Sequence, residues 1–236
     1  MSTKERAFYT GENIRLVVPT IEHVENSSWA SWFNSQRTSQ YTSHAIVTNT
    51  VEDQRAFYLG MRSTGRFALL ITALENAEPV GVVSLSAIDY RQGTAAIAIV
   101  MDTETDQKLP ALASLEAMAR MTIHAFDVMG LKRIEAGQVF PDLKRWARLL
   151  ELLGYRAEGF KRQAFARGQQ RSDVVALSCL YASYRELSEG HGGTLWPGSA
   201  RMLELIRNLP RVSLAERLDR AQRDVLEAYL AETRTD

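Results

Sequence analysis

The spacing of hydrophobic and polar positions changes along the chain between a helical and an extended period. The run IRLVV at 14–18 has strand composition, and Thr20 after it caps a stretch with apolar residues at helical spacing. A second helix is predicted over 50–61, where Thr50 and Asp53 form a capping pair. The pattern therefore predicts that a strand and two helices open the fold.

From Arg66 onward the extended period replaces the helical one. Three apolar segments, RFALLITAL, PVGVVSLSAI and TAAIAIVM, are separated by short turns and predict an antiparallel meander. A helix over about 110–128, closed by Gly130, leads to the strand KRIEAGQVF. The helix DLKRWARLLELL ends at Gly154, and two last strands meet around Gly168. The predicted order is β, α, α, β, β, β, α, β, α, β, β.

The composition changes after Tyr184, where LSEGHGGTLWPGS has the glycine content of a linker. Helices are predicted over 199–208 and 213–232, and the second places apolar residues on one stripe: Leu214, Leu218, Ala221, Val225 and Tyr229. Such a stripe must be covered, either by its own domain or by the second copy in a homodimer. We predict three parts: a domain at 1–184, a Gly-rich linker at 185–198 and a C-terminal helical extension at 199–236.

Composition and charge narrow the classes of function. The chain has 236 residues, 45% of them hydrophobic, with 28 basic and 28 acidic residues, so its overall charge does not predict a polyanionic partner. It contains no apolar run long enough for a membrane span, and its first residues lack the apolar core of a signal peptide. One cysteine and four scattered histidines predict no metal site. We expect a cytoplasmic protein.

Four segments carry a resemblance to a known family: PVGVVSLSAID, AFDVMGLKRIEAGQVFPD, LLELLGYRAEGFKRQAF and RGQQRSDVVALSCL. With the predicted order of elements, they resemble the GNAT superfamily of acyl-CoA-dependent N-acyltransferases over about residues 12–182. The resemblance is closest to the branch that acetylates ribosomal-protein N-termini and the amino groups of nucleotide-linked amino sugars. It implies an α+β GNAT fold, in which helices flank a mixed, mostly antiparallel central sheet, here followed by the C-terminal extension.

The resemblance also implies where an acyl-CoA would bind. In the family, the loop and helix start after the fourth strand hold the CoA diphosphate through backbone N–H groups, and glycines let the backbone come close. The corresponding residues here, for pantetheine and then diphosphate, are Val100, Met101, Ala111, Leu112, Ala113 and Ser114. The glycine-containing motif itself falls on Leu109, Leu112 and Ser114, so its basic or amide position and its first glycine are missing.

Three further positions of the family's chemistry carry apolar residues in this chain. The strand-four glutamate, which takes the proton of the amine, aligns with Ala96. The asparagine before the next helix aligns with Leu143, and the small residue after it with Trp146. The tyrosine that protonates the leaving thiolate aligns with Leu150. The chemistry has therefore either moved to other residues or been lost.

Other residues near the implied reaction centre are candidates for these roles. Glu104, in the loop after strand four, is among the nearest carboxylates, although a solvated loop also explains it. His44 lies where sugar-directed relatives build the acceptor pocket and has a side chain that titrates near neutral pH, although a surface position also explains it. We predict catalytic roles for His44 and Glu104 and a substrate contact for Tyr41.

Two functions follow from the sequence. The first is an N-acyltransferase that uses acetyl-CoA or another acyl-CoA and acts on the amino group of a small molecule such as an amino sugar. The alternative is a divergent GNAT-fold protein without normal CoA-dependent catalysis, either a binding or scaffold protein or a transferase with another donor. Nucleic-acid binding is disfavoured by the zero net charge. A local basic group keeps a phosphate contact open: Lys132, Arg133, Lys144, Arg145 and Arg148.

Overall fold

An eight-stranded sheet forms the centre of the computed structural model, which describes residues 7–42, 47–75, 77–102 and 112–233. The strands are β1 (Ala7–Thr10), β2 (Ile14–Val17), β3 (Phe67–Ala73), β4 (Pro79–Asp89), β5 (Thr94–Met101), β6 (Arg133–Phe140), β7 (Arg156–Arg167) and β8 (Gln170–Leu180). Their order in the sheet is β1-β2-β3-β4-β5-β6-β8-β7, and the β5–β6 pair alone among these strands is parallel. The predicted α+β fold with a mixed, mostly antiparallel sheet is confirmed.

Helices flank both faces of the sheet. They are α1 (Ile21–Asn26), α2 (Trp29–Trp32), α3 (Gln36–Ser39), α4 (Val51–Gly60), α5 (Ala113–Ile123), α6 (Lys144–Leu150), α7 (Tyr181–Gly190), α8 (Ser199–Arg207) and α9 (Leu214–Thr233). Helix α5 continues into a π-helical turn over His124–Val128. Both predicted N-caps are present, since Thr20 and Thr50 accept hydrogen bonds from the third backbone N–H of their helices. None of these helices is long and apolar enough to cross a membrane.

The N-terminal region differs from the prediction in two respects. The helical pattern after Thr20 forms three short helices, because Ser27 and Ser35 have extended backbone between them. Strand β1 was not predicted, since its four residues, AFYT, alternate between exposed and half-buried positions and contain no apolar run. It is specified by antiparallel pairing with β2, a contact that the local pattern does not contain.

The sheet separates two hydrophobic cores. Side chains along β4 alternate between the faces, so Val83 and Leu85 pack in a large cluster with α5, whereas Val82 packs in a smaller cluster with Trp29 and Trp32. Ser84 follows Val82 on the second face. This alternation brings polar hydroxyl groups to the face that α2 and α4 cover.

The C-terminal part packs on the same core as the sheet. Trp196, Met202 and Ala215 are buried in the large cluster. Helix α7 extends to Gly190 and buries Tyr184 in the large core, so the first part of the predicted linker at 185–198 is helical. The domain division at residue 184 stays a prediction. The second half of α9 is exposed, so the homodimer contact also stays a prediction.

Candidate functional site

A cleft opens where β5 and β6 diverge. The two parallel strands pair only between 94–96 and 133–135. Beyond this point β6 continues along β8 to Phe140, whereas β5 stays paired with β4 as far as Met101. The edge of β5 over 97–101 that faces β6 therefore has no strand partner in the described structure. Its backbone amide and carbonyl groups face the gap and are available to a ligand with amide groups of its own.

The cleft has a volume of about 460 Å³. It lies between the open edge of β5, the start of α5, strand β6 and the short N-terminal helices. Most of its lining residues are apolar, and the polar ones are Arg37, Thr38, Tyr41, Thr42, Ser114 and Gln138. The Thr42 hydroxyl is buried and has no hydrogen-bond partner among the described residues. The cleft thus offers scattered hydrogen-bonding groups along a mostly apolar channel.

Four of the residues predicted from the sequence meet in this cleft: Tyr41, Val100, Met101 and Ser114. They come from three separate segments of the chain, and tertiary packing brings them together. Leu112 and Ala113 are placed differently, because their side chains are 6% and 2% exposed and belong to the large core. Only their backbone can contribute to a ligand site. His44, Glu104 and Ala111 lie outside the described residues.

The start of α5 borders the cleft through Ser114 and Met118, which are one turn apart on one side of the helix. Leu112 occupies the N-cap position and makes no side-chain cap hydrogen bond. The first-turn N–H groups of a helix have no intrahelical acceptor, and they form a partial positive charge with the helix dipole. This end of the cleft therefore suits an anion.

The positions aligned with the family's acid and base stay apolar around the cleft. Leu143 and Trp146 line it, and Leu150 is fully buried in the core, where it contacts no ligand space. Ala96 borders a neighbouring depression of about 300 Å³. The register partner of Ala96 on β6 is Glu135, whose carboxylate borders the same depression. Glu135 was not identified from the sequence, because strand pairing alone places it there.

The charged groups around Glu135 are mutually paired. Arg133 donates two hydrogen bonds to Glu158, at 2.7 and 2.6 Å, and a third to Glu135 at 2.9 Å. These bonds from Arg133, with a further one from Ser178, hold the pKa of Glu158 at about 2. Glu158 therefore stays ionised at neutral pH, where it has no proton to donate and is only a weak base.

The basic group identified in the sequence is largely engaged inside the molecule. Arg133 has two carboxylate partners, Lys144 lies 3.2 Å from Glu216, and Arg148 donates to the backbone oxygen of Leu209 at 2.7 Å. Because these partners lie within the protein, three of the five basic residues need no phosphate ligand to account for them.

A second pocket, of about 280 Å³, lies on the face of the sheet that α2 and α4 cover. It shares Phe33, Ala98 and Val100 with the cleft, so the two cavities are neighbours. Its walls are mainly aromatic and aliphatic, and its polar lining residues are Asn49, Gln54, Arg66, Ser84 and Ser86. Sequence reasoning missed this pocket, because Trp29 and Phe33 fit the pattern of an ordinary helix core.

Asn49 organises the polar wall of this second pocket. Its backbone exchanges two hydrogen bonds with the side chain of Asn34, at 2.7 and 2.8 Å. Its side-chain amide donates to the Ala30 carbonyl at 3.0 Å and to the Gln54 Oε1 at 3.2 Å. The loop before α4 is therefore fixed to α2, and the Gln54 amide is oriented with its oxygen toward Asn49.

His124 serves packing and lies away from the cleft. Its ring stacks on Phe67, with centroids 5.0 Å apart, and its Nδ1 lies 2.7 Å from the Tyr9 hydroxyl. Burial lowers the pKa of His124, because it disfavours the charged imidazolium. No cluster of three or more histidine, cysteine or acidic side chains that could hold a metal occurs in the described parts of the chain.

The burial of His124 predicts that the stability of the protein depends on pH. The folded-state pKa of His124 lies below the unfolded value of about 6.5, so its contribution is complete above pH 6.5 and is lost as the pH falls through the folded pKa. We expect His124→Gln to flatten the fall in unfolding free energy below pH 6.5, by at most about 1.4 kcal/mol per pH unit. Urea unfolding at several pH values measures this. His191→Gln should flatten the fall in the same direction, because burial also lowers the pKa of His191; an unchanged slope in His124→Gln would contradict the assignment.

Comparison with known proteins agrees with the fold described above. No family profile and no curated protein matches the chain. Solved structures do match. An acetyltransferase of the GNAT family from Bacillus anthracis has a TM-score of 0.59 and 19% identity over 75% of this chain and 97% of its own.

Two further matches were solved with ligands. Spermidine N-acetyltransferase from Vibrio cholerae, in complex with CoA and spermine, has a TM-score of 0.63 and 16% identity over 74% of this chain and 99% of its own. The microcin C7 self-immunity acetyltransferase MccE, in complex with acetyl-CoA and AMP, has a TM-score of 0.58 and 19% identity over 72% of this chain and 93% of its own. The chain described here has the GNAT fold.

Proposed function

We propose that this protein is a GNAT-type N-acyltransferase that transfers an acetyl group from acetyl-CoA to the amino group of a small molecule, with amino sugars as the first candidates. The observation that carries the proposal is the divergence of β5 and β6, which leaves the edge over 97–101 unpaired beside an open cleft that reaches the start of α5. Acetyl-CoA is a co-substrate in this proposal, and no metal is required.

The cleft fits the chemistry of the proposed donor. The pantetheine arm of CoA contains two amide groups, which can hydrogen-bond to the backbone of Val100 and Met101 as an added strand would. The diphosphate would lie at the first turn of α5, near Ser114. Leu112, which replaces a family glycine, does not obstruct this route, because its side chain is buried in the core on the other side of the helix start. The replacement of the family glycine by Leu112 therefore leaves room for the ligand.

The transfer needs a neutral amine and a proton for the departing thiolate. The amine nitrogen bonds to the thioester carbonyl carbon, the carbon–sulfur bond breaks, and the proton lost by the amine balances the proton gained by the thiol. We propose His44, Glu104 and Glu135 as alternative acceptors of the amine proton and Tyr41 as a contact to the substrate. Juxtaposition of amine and thioester supplies a large part of the rate even without a strong acid.

The alternative of a divergent protein without normal CoA-dependent catalysis has two forms: a binding or scaffold protein would not need an open donor cleft, whereas a transferase with another donor would retain one. The open cleft and the exposed backbone edge of β5 support a transferase over a scaffold protein. Ala96, Leu143 and Leu150 occupy the positions aligned with the family's acid and base. They leave the donor cleft unobstructed, so we expect them to affect the rate of transfer and not the binding of the donor.

Calorimetric titration tests the donor first. We expect micromolar binding of acetyl-CoA and of desulfo-CoA, and binding by pantetheine that is at least 100-fold weaker, because pantetheine lacks the diphosphate. Release of CoA in the presence of amino sugars then tests the transfer. Absence of binding at millimolar acetyl-CoA would contradict the proposal and return attention to other donors.

A further inference from the structure

We propose that the acceptor-side pocket of about 280 Å³ selects amines that also carry an anionic oxygen group, a phosphate or a carboxylate, and excludes polyamines. This inference rests on the proposed function, since it names the class of acceptor. The observations that support it are independent of the donor cleft, because they concern polar groups in a different cavity.

Two buried hydrogen-bond donors in this pocket lack partners. The side chain of Trp29 is fully buried, and its Nε1 has no acceptor among the described residues. Gln54 is 3% exposed. Its Oε1 accepts a hydrogen bond from Asn49, while its Nε2 has no hydrogen-bond partner among the residues that the structure describes. A buried donor without an acceptor is costly to a folded protein and is rare. Two such donors in the wall of one pocket indicate a ligand with acceptor oxygens.

The charge of the pocket favours an anion over a cation. Arg66 lies at its wall with the guanidinium carbon 5.3 Å from the ring centroid of Phe57, and no carboxylate pairs with it in the described structure. The described lining contains no aspartate or glutamate. An anionic group would gain a charge-assisted hydrogen bond from Arg66, whereas a second ammonium group would find no counter-charge.

The remaining walls indicate the body of the acceptor. Phe33 and Phe57 provide aromatic surface, and Ala98 and Val100 line both this pocket and the donor cleft. A ring with one apolar face fits these walls. Its amine would point to the shared end beside β5, where the thioester would lie, and its anionic group would point toward Arg66.

Matched pairs of probes test the class of acceptor without any donor present. We would measure binding of glucosamine against glucosamine 6-phosphate, and of phenethylamine against phenylalanine, by calorimetry in the absence of acetyl-CoA. We expect the member with the anionic group in at least one pair to bind at least about 10-fold more tightly than the member without it, and spermidine to show no binding. The pair that responds distinguishes phosphate from carboxylate. Equal binding within both pairs, or preferred binding of spermidine, would overturn the inference.

Two tryptophans provide a matched pair of variants. Trp29→Phe removes the unpaired N–H, and we expect it to weaken binding of the anionic probe about 10-fold; because Trp29 is buried in the core, the smaller ring should also lower the melting temperature by a few degrees. Trp32→Phe removes an N–H that donates to the Ser28 hydroxyl at 2.9 Å, and Trp32 does not line the pocket. This control should lower the melting temperature by a few degrees and leave binding unchanged. If Trp29→Phe lowers the melting temperature as Trp32→Phe does and likewise leaves binding unchanged, its role is packing only and the inference fails.

The charge is tested separately. We expect Arg66→Gln to abolish the preference within the responding pair and Arg62→Gln, at an exposed position outside this pocket, to preserve it. Because these measurements use no acetyl-CoA, a failure of the pocket assignment can be distinguished from a failure of the donor proposal. Loss of acetyl-CoA binding with intact probe selectivity would refute the transferase and keep the pocket assignment, and the reverse result would do the opposite.

Discussion

Replacement of Glu116 by alanine is expected to lower the free energy of unfolding by about 3–5 kcal/mol. This carboxylate is fully buried in the first turn of α5. It accepts hydrogen bonds from the backbone N–H groups of Glu12 and Asn13 at 2.7 and 2.8 Å, and it pairs with Arg120 at 3.2 Å. Its removal leaves these donors without their acceptor, and buried unpaired donors are costly. Urea unfolding measures the change.

The turn between β1 and β2 offers a second variant that tests the same contact. A Cβ atom added at Gly11 would lie 2.3 Å from the Glu116 Oε1, so Gly11→Ala must displace the carboxylate. We expect Gly11→Ala to cost about 1–3 kcal/mol in the natural background and clearly less in the Glu116→Ala background, since the clash is then absent. Glu189→Ala on the surface is the control and should change stability by less than about 0.5 kcal/mol. Additive effects of the two substitutions would contradict this account.

Replacement of Ser114 by glutamate is expected to weaken acetyl-CoA binding by at least about 100-fold, which corresponds to about 2.7 kcal/mol. Ser114 lies in the first turn of α5 and lines the cleft, where the proposal places the CoA diphosphate. A carboxylate there repels the diphosphate and competes for the same N–H groups. Stability should be unchanged or slightly higher, because an acidic residue in the first turn of a helix is favourable. Calorimetry and thermal unfolding measure the two effects.

Neutral substitutions separate charge from size at this position. Ser114→Gln adds a side chain of the same length without charge, and Ser114→Ala removes the hydroxyl. We expect each to change the affinity for acetyl-CoA by less than about 10-fold, since the backbone donors remain free. If Ser114→Gln weakens binding as much as Ser114→Glu does, obstruction of the cleft is the cause, and the diphosphate assignment at this helix start is wrong.

The sequence by itself determined most of the periodic elements and several of their ends, although it did not predict β1, α7 or the division of the first helical pattern into α1, α2 and α3. The capping pair of Thr50 and Asp53 is present as predicted, and Gly154 ends its helix with a φ of 85°, a conformation that favours glycine. These features depend on residues a few positions apart, so the local pattern contains them. The antiparallel meander was predicted for the same reason, because short turns join neighbouring strands.

Only the tertiary structure decided the site. The divergence of β5 from β6 depends on the pairing of β6 with β8, and the buried contact of Glu116 joins residues 104 and 103 positions apart. The direction of the Leu112 side chain and the unpaired donors of Trp29 and Gln54 likewise depend on how distant segments pack. No local period records which buried polar group has a partner, because that partner lies elsewhere in the chain. The sequence therefore predicted the fold and part of the donor cleft, whereas packing alone determined the acceptor-side pocket.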